Sequence, residues 1–269
     1  MRRFPIHVAV ALVVASALPL FWMVLASLVP EAQLFDSAAV WRGPFVLDHY
    51  RALFDERDFW IPIRNSLIVA GSTTFFAVTV GGACAYALAR MQFRGRHLIL
   101  AFVLAVSMFP QISLIAPLYL LLREAGLINT YPGLVLPYLT FAMPLTIWLL
   151  VGYFRHLPPD LEEAAAMDGA GRFRTLVEII APLASPGIAT TAILTFVYCW
   201  NEFLFALSFT LGPERHTVPV AIALFRGQYQ VPWGQILAAA VVASAPVVLL
   251  VLLFQRRIVQ GLTAGAVKG

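Results

Sequence analysis

The chain has 269 residues, of which 61% are hydrophobic and 12% charged, with a mean hydropathy of +0.84; soluble globular domains sit near half apolar and about a quarter charged. That much apolar sequence cannot be hidden inside a water-soluble globule of this size, and the same composition excludes disorder, a coiled coil and a secreted disulfide scaffold. The formal charge of +4 includes a single lysine, Lys268, so no Gly-rich Walker loop ending in Lys-Ser/Thr exists and the chain is not itself a P-loop ATPase.

Apolar stretches run over 5–29, 65–89, 98–122, 133–154, 187–211 and 234–254. Each has the roughly 20 residues that a bilayer crossing takes. The reading is an all-α integral membrane protein of six transmembrane helices, one domain over 1–269. The first stretch follows Arg2 and Arg3, but its apolar core from Ile6 to Leu25 is longer than a signal-peptide core, so it reads as a retained anchor. The connection Arg90-Met91-Gln92-Phe93-Arg94-Gly95-Arg96 carries no acid, which puts it on the cytoplasmic side. The loop 155–186, the tail 255–269 and both termini follow it there. Eleven basic residues then lie inside against seven outside, with five acids inside and eight outside. The basic balance is thus a matter of sidedness and implies no nucleic acid. Pro19, Pro110, Pro117, Pro137, Pro144 and Pro246 fall inside spans, where each frees a carbonyl that lipid cannot satisfy; the broken turns must face protein or water.

Cys84 and Cys199 lie in apolar runs and the five histidines are scattered. No metal site, catalytic cluster or nucleophile elbow is expected. The informative segment is the longest cytoplasmic loop. Pro158-Pro159-Asp160-Leu161-Glu162-Glu163 opens a short helix, with Asp160 as N-cap and Glu163 closing a capping box. Ala164-Ala165-Ala166 keeps it slim, Gly169 stops it, and a second helix runs from about Arg172 to Ile180, ending before Pro182. An acidic, slim helix with Leu161 and Met167 reads either as a docking peg or as a passive connector.

These residues resemble the cytoplasmic signature of the inner-membrane permease subunits of binding-protein-dependent ABC importers: Glu-Ala-Ala, three residues, Gly, nine residues, Ile, one residue, Leu-Pro. Here that is Glu163-Ala164-Ala165, Gly169, Ile179 and Pro182, with Ala181 where the pattern has leucine. Leu47-Asp48-His49-Tyr50, Asn65-Ser66-Leu67, Phe109-Pro110, Trp200-Asn201-Glu202-Phe203 and the tail from Gly261 are similar to the smaller permease subunit of maltose- and trehalose-type carbohydrate importers, with His49 replacing a commoner asparagine. The resemblance implies a type I importer permease fold in the bacterial inner membrane. The implied partners are a second homologous permease, a dimer of ATPase subunits that bind ATP and Mg, an extracytoplasmic sugar-binding protein and membrane lipid. This chain itself would carry no cofactor and no catalytic residue.

It further implies that Glu162, Glu163, Ala164, Ala165, Asp168, Gly169, Arg172, Phe173 and Pro182 couple to the ATPase. The tail from Gly261 would reach the interface between the ATPase subunits, and the outer loop 212–235 would touch the binding protein; plain disorder for the tail, and an interfacial belt of Phe225, Tyr229 and Trp233 for the loop, are the alternatives. A sugar pathway needs stacking rings and hydrogen-bond partners, for which the candidates are Pro110, Gln111, Ser113, Tyr198, Trp200, Asn201 and Glu202. Glu202 is the only acid deep in a span, so it pairs with a neighbouring helix or contacts substrate. The expected cargo is a disaccharide or oligosaccharide, with glycerol phosphate as the alternative. A secondary transporter would show more intramembrane ionisable residues or a mirrored repeat.

Overall fold

The computed structural model describes residues 6–225 and 231–264. Among them every regular element is helical: α1 (Ile6–Ala26), α2 (Ser37–Arg42), α3 (Asp48–Asp55), α4 (Trp60–Arg90), α5 (Arg96–Ser107), α6 (Gln111–Glu124), α7 (Tyr131–His156) and α8 (Asp160–Met167). They continue with α9 (Arg172–Leu183), α10 (Ser185–Trp200), α11 (Leu204–Phe209), α12 (Val218–Ala223) and α13 (Trp233–Ala264). Four helices, α1, α4, α7 and α13, are long and apolar enough to cross a membrane unaided.

The third expected span is two helices, α5 and α6, bent by 94° at Ser107–Gln111. Its cause is Pro110: the residue before a proline is pushed out of the α region, and the ring removes a donor. Pro110 adopts extended backbone at the N-cap of α6, and α5 ends in tight turns from Met108 N–H to the Ala105 carbonyl and Phe109 N–H to that of Val106. At about 1.5 Å per residue neither half alone covers the roughly 30 Å of hydrocarbon. Pro19, Pro117, Pro137, Pro144 and Pro246, by contrast, stay inside continuous helices. The fifth span is likewise interrupted, with α10 ending at Trp200 and α11 resuming at Leu204.

The bundle is organised around α4 and α7, the most extensively packed pair. Gly81 and Gly82 of α4 face α7 across this contact: a Cβ on Gly81 would meet Ile147 and Thr146 at 3.4 Å and one on Gly82 would meet Leu150 at 3.5 Å, both ordinary van der Waals distances. Two apolar cores lie along this pair, and a smaller third gathers Ala26, Val29 and Val40 where α1 meets α2. Of the two, one gathers Tyr138, Phe141, Trp200, Phe205 and Phe209 around α7, α10 and α11. The other, at the end carrying the 155–186 loop, gathers Tyr86, Leu88, Leu150, Phe154 and Ile180. Outward-facing Leu, Val and Phe along α1 and α13 stay exposed, as lipid-facing positions require.

Candidate functional site: the α8–α9 elbow and the face at the α6 break

The loop after α7 folds into two short helices joined by a tight corner. Asp160 is not the N-cap: Pro159 holds that position in αR backbone, no side chain caps the helix, and the expected capping box does not form. The proline's fixed φ suits a helix start, so the helix opens one residue early. Asp160, Glu162 and Glu163 all fall in the first turn, where carboxylates complement the positive helix end.

At the other end of α8, Gly169 N–H donates to the Ala166 carbonyl at 3.0 Å and Ala170 N–H to that of Ala165 at 2.9 Å. This is the paired closure of a Schellman motif. Gly169 has φ +76°, a left-handed conformation that glycine adopts without steric penalty. The second helix does not end before Pro182. It continues to Leu183 through a widened π turn over Leu176–Ile180, closed by Ala181 N–H onto the Leu176 carbonyl, which shifts the ladder and accommodates a residue without a donor.

Helical periodicity sorts the elbow into two faces. Leu161 and Glu162 are half-buried and Ala165 and Thr175 buried against the bundle, while Glu163, Ala164, Asp168, Gly169, Arg172 and Pro182 are exposed. Met167 and Phe173 are 89% and 78% exposed. Arg174 and Glu178 pair across one turn of α9 at 2.8 Å, in the open. A residue that composition and spacing did not single out, Arg90 at the end of α4, holds the inner face by hydrogen bonds to Glu162, Leu157 and Pro158.

The pathway candidates do not converge on one cavity. Gln111 Nε2 donates to the Tyr198 hydroxyl at 3.2 Å, and the Tyr198 ring packs edge-on against Phe141 at 4.9 Å. Pro110 and Ser113 are exposed beside them at the α6 break, with Met108 and Phe109. Trp200, by contrast, is buried, stacked on Phe196 at 5.7 Å, and donates through Nε1 to the Ala243 carbonyl of α13 at 3.2 Å. With Asn201 it borders a separate groove of about 440 Å³ against Leu20, Val218 and Val247. Asn201 turns its amide onto its own helix, at the Val197 carbonyl.

Glu202 is satisfied first by its own chain, with Tyr138 of α7 the group that faces it from a neighbouring helix. Its two oxygens accept the Phe205 and Ala206 amides at 2.8 and 3.1 Å, restarting the helix after the break. The Tyr138 hydroxyl lies within electrostatic range of this carboxylate but forms no hydrogen bond of good geometry.

At the opposite end, Asn65 Nδ2 donates to the carbonyls of Glu214 and His216, and Tyr131 donates to Asn65 Oδ1. Ser66 Oγ receives the Val218 amide. These bonds seat the first part of the 212–235 loop. Phe225 is no belt residue: it is buried, edge-on to Phe59 at 5.8 Å with the Arg57 guanidinium 4.6 Å over its ring. Trp233 is half-exposed beside Trp22 and Phe35, as a belt position would be; Tyr229, Arg2, Arg3 and the tail beyond residue 264 lie outside the described residues.

Two groups here titrate away from their ordinary values. The Asn129 amide bonded to Glu214 holds that carboxyl below 4.5, and burial holds His216 below 6.5 against the pull of Glu214. The unfolded segment therefore binds protons more readily at both sites. The stability these two groups contribute is full above pH 6.5, is lost first as pH falls below it and His216 becomes protonatable, and is lost further below pH 4.5 as Glu214 is neutralised. Amide-exchange protection of 209–217 is expected to fall in that order on acidification, and His216→Gln to remove the upper phase; protection that rises on acidification would contradict these contacts.

The family of binding-protein-dependent transport system inner membrane components matches residues 77–264. The chain is 43% identical over 263 residues, covering 97% of it and 95% of the relative, to the trehalose/maltose transport system permease protein MalG of Thermococcus litoralis. It is 46% identical over 254 residues, 94% of this chain and 92% of the relative, to the trehalose transport system permease protein SugB of Mycobacterium tuberculosis. With the sulfoquinovosyl glycerol transport system permease protein SmoH of Agrobacterium fabrum it shares 40% over 260 residues, 96% of this chain and 91% of that one. Among solved structures, a chain of a bacterial ABC transporter that imports the acidic polysaccharide alginate superposes with a TM-score of 0.75 at 22% identity, covering 95% of this chain and 96% of that chain. The chain belongs to the family of binding-protein-dependent transport system inner membrane components, and is a multi-pass, all-helical transport permease with the type I importer fold.

Proposed function

We propose that this chain is one of two permease subunits of an ATP-driven importer of a disaccharide or oligosaccharide of the trehalose or maltose kind. The observation that carries the reading is the elbow: α8 and α9 turn Met167 and Phe173 outward, 89% and 78% exposed, on a face whose other side is tied to the bundle. Met and aromatic side chains are enriched in protein interfaces, so two of them bare on this polar loop support a docking surface. A separate ATPase dimer, holding ATP and Mg, seats there on Glu163, Ala164, Asp168 and Gly169. Both termini and the 155–186 loop lie in the cytoplasm, and the 212–235 loop meets an extracytoplasmic sugar-binding protein. ATP-driven closure of the ATPases favours one of two arrangements of the helices, because the two bind the elbow differently. Solute passes by the exposed face at the α6 break, where Gln111, Ser113 and Tyr198 offer hydrogen bonds and a ring.

The carbohydrate class is supported by the names of the relatives. An ion-coupled transporter is disfavoured because Glu202, the buried acid within a span, has both oxygens engaged by backbone amides, so that among the described residues no span carries an unengaged carboxylate for a proton or cation. The test is uptake by proteoliposomes containing both permeases, the ATPase and the binding protein. Import of labelled trehalose or maltose is expected to require ATP and to be competed by those sugars. Competition by glycerol phosphate alone would move the cargo, and uptake without the ATPase would remove the reading.

A further inference from the structure

Arg90 ends α4, and its guanidinium reaches three acceptors on the far side of the loop. Nε donates to Glu162 Oε1, Nη1 to the Leu157 carbonyl and Nη2 to the Pro158 carbonyl, each at 3.0 Å. The Arg90 side chain is 9% exposed and that of Glu162 24%, so this pair is shielded, unlike the open Arg174–Glu178 pair at 67% and 58%. The Tyr86 hydroxyl, one turn back on α4, faces the same carboxylate. One residue on, Met91 Sδ accepts from Arg172 Nη1 at 3.5 Å, so the start of α9 also meets the end of α4.

What these contacts brace is a joint. Leu157 leaves α7 in extended backbone, and Leu157–Pro159 is all the chain that separates α7 from α8. Without a brace, force applied to α8 would be absorbed by rotation in that link. A planar guanidinium can hold a carboxylate and two carbonyls at once; an ammonium cannot reproduce the fork.

We propose that Arg90 is a positioning residue, a strut that fastens the α8 elbow to the end of α4 so that a push on the elbow moves that transmembrane helix instead of bending the Leu157–Pro158 link. This rests on the importer reading above. Arg90 touches neither solute nor nucleotide; it acts by keeping two helices in one rigid piece.

The complete assembly in proteoliposomes tests it, through solute imported per ATP hydrolysed and through ATPase retained on purification. Arg90→Gln is expected to keep the ATPase bound and hydrolysing while solute per ATP falls about tenfold, with Arg90→Lys intermediate and Glu162→Gln milder. In a chain with Cys84 and Cys199 replaced by serine, Arg90→Cys with Glu162→Cys should be equally uncoupled, and a short bifunctional thiol reagent bridging the pair should restore coupling. A merely structural role would not respond to the bridge. Native stoichiometry in Arg90→Gln overturns the strut, as does loss of the ATPase from that variant while Glu162→Gln remains normal, which would make Arg90 a folding residue. A native chain that retains no ATPase overturns the importer reading itself, an outcome distinct from either.

Discussion

Replacing Gly169 with glutamate is expected to lower solute uptake more than about tenfold while the chain remains inserted at native abundance. Two physical effects meet at this residue and can be separated. The backbone effect follows from φ +76°, where a Cβ costs about 1–2 kcal/mol and asparagine is better tolerated than alanine. The contact effect comes from whatever seats on the elbow, because a Cβ at Gly169 meets nothing within 4 Å in this chain. If backbone strain alone mattered, uptake would rank asparagine above alanine. If the corner seats in a partner's groove, uptake follows side-chain size, with alanine above asparagine and glutamate lowest. Uptake assays with immunodetected chain distinguish the two, and the first order would contradict docking.

Glu202→Ala is expected to destabilise the fold by about 2–4 kcal/mol, since the buried Phe205 and Ala206 amides lose their acceptors and each orphaned donor costs roughly 1–3 kcal/mol. Glu202→Gln keeps one carbonyl oxygen and is expected to cost about 1 kcal/mol. The penalty arises because no water replaces a missing acceptor inside the hydrocarbon region. Thermal unfolding in detergent measures it. An unchanged midpoint in the alanine variant, accompanied by loss of uptake, would instead make Glu202 a pathway residue.

The spans were legible because about 20 apolar residues have few soluble alternatives, and the α8–Gly169 corner because a left-handed closure favours glycine. Geometry that depends on what a freed group does next was not legible. A missing donor at Pro110 announces an interruption, but not that the chain turns by 94°. At Pro182 the same deficit is absorbed by a π turn, and at Pro246 the helix continues past the proline without a break. Glu202 was visible as a deep acid, yet the hydrogen bonds that hold it come from amides three and four residues on, a local solution that looks no different in sequence from a pair across helices.

Arg90 illustrates the other gap. It counted as one more positive charge at a helix end, and only folding brings it to Glu162, 72 residues later. The motifs that resembled a family acquire physical reasons in the same way. Asn65 and Ser66 fasten the segment near Val218. The His49 ring bonds to the Val29 carbonyl at 2.9 Å and Tyr50 to Ser27 at 2.6 Å. Trp200, chosen as a stacking ring, spends its ring on Phe196 and its N–H on α13, whereas Tyr198, two residues away, is the ring that reaches the open face.

The most direct measurement is photo-crosslinking from Met167→Cys, at the most exposed apolar residue of the elbow, labelled in intact membranes with a short thiol-reactive photoprobe after Cys84 and Cys199 are replaced by serine. The account predicts one dominant adduct, with a subunit that hydrolyses ATP, whose yield changes when nucleotide is bound. Labelling that goes only to lipid, together with concentrative uptake by vesicles containing this chain alone, would contradict it.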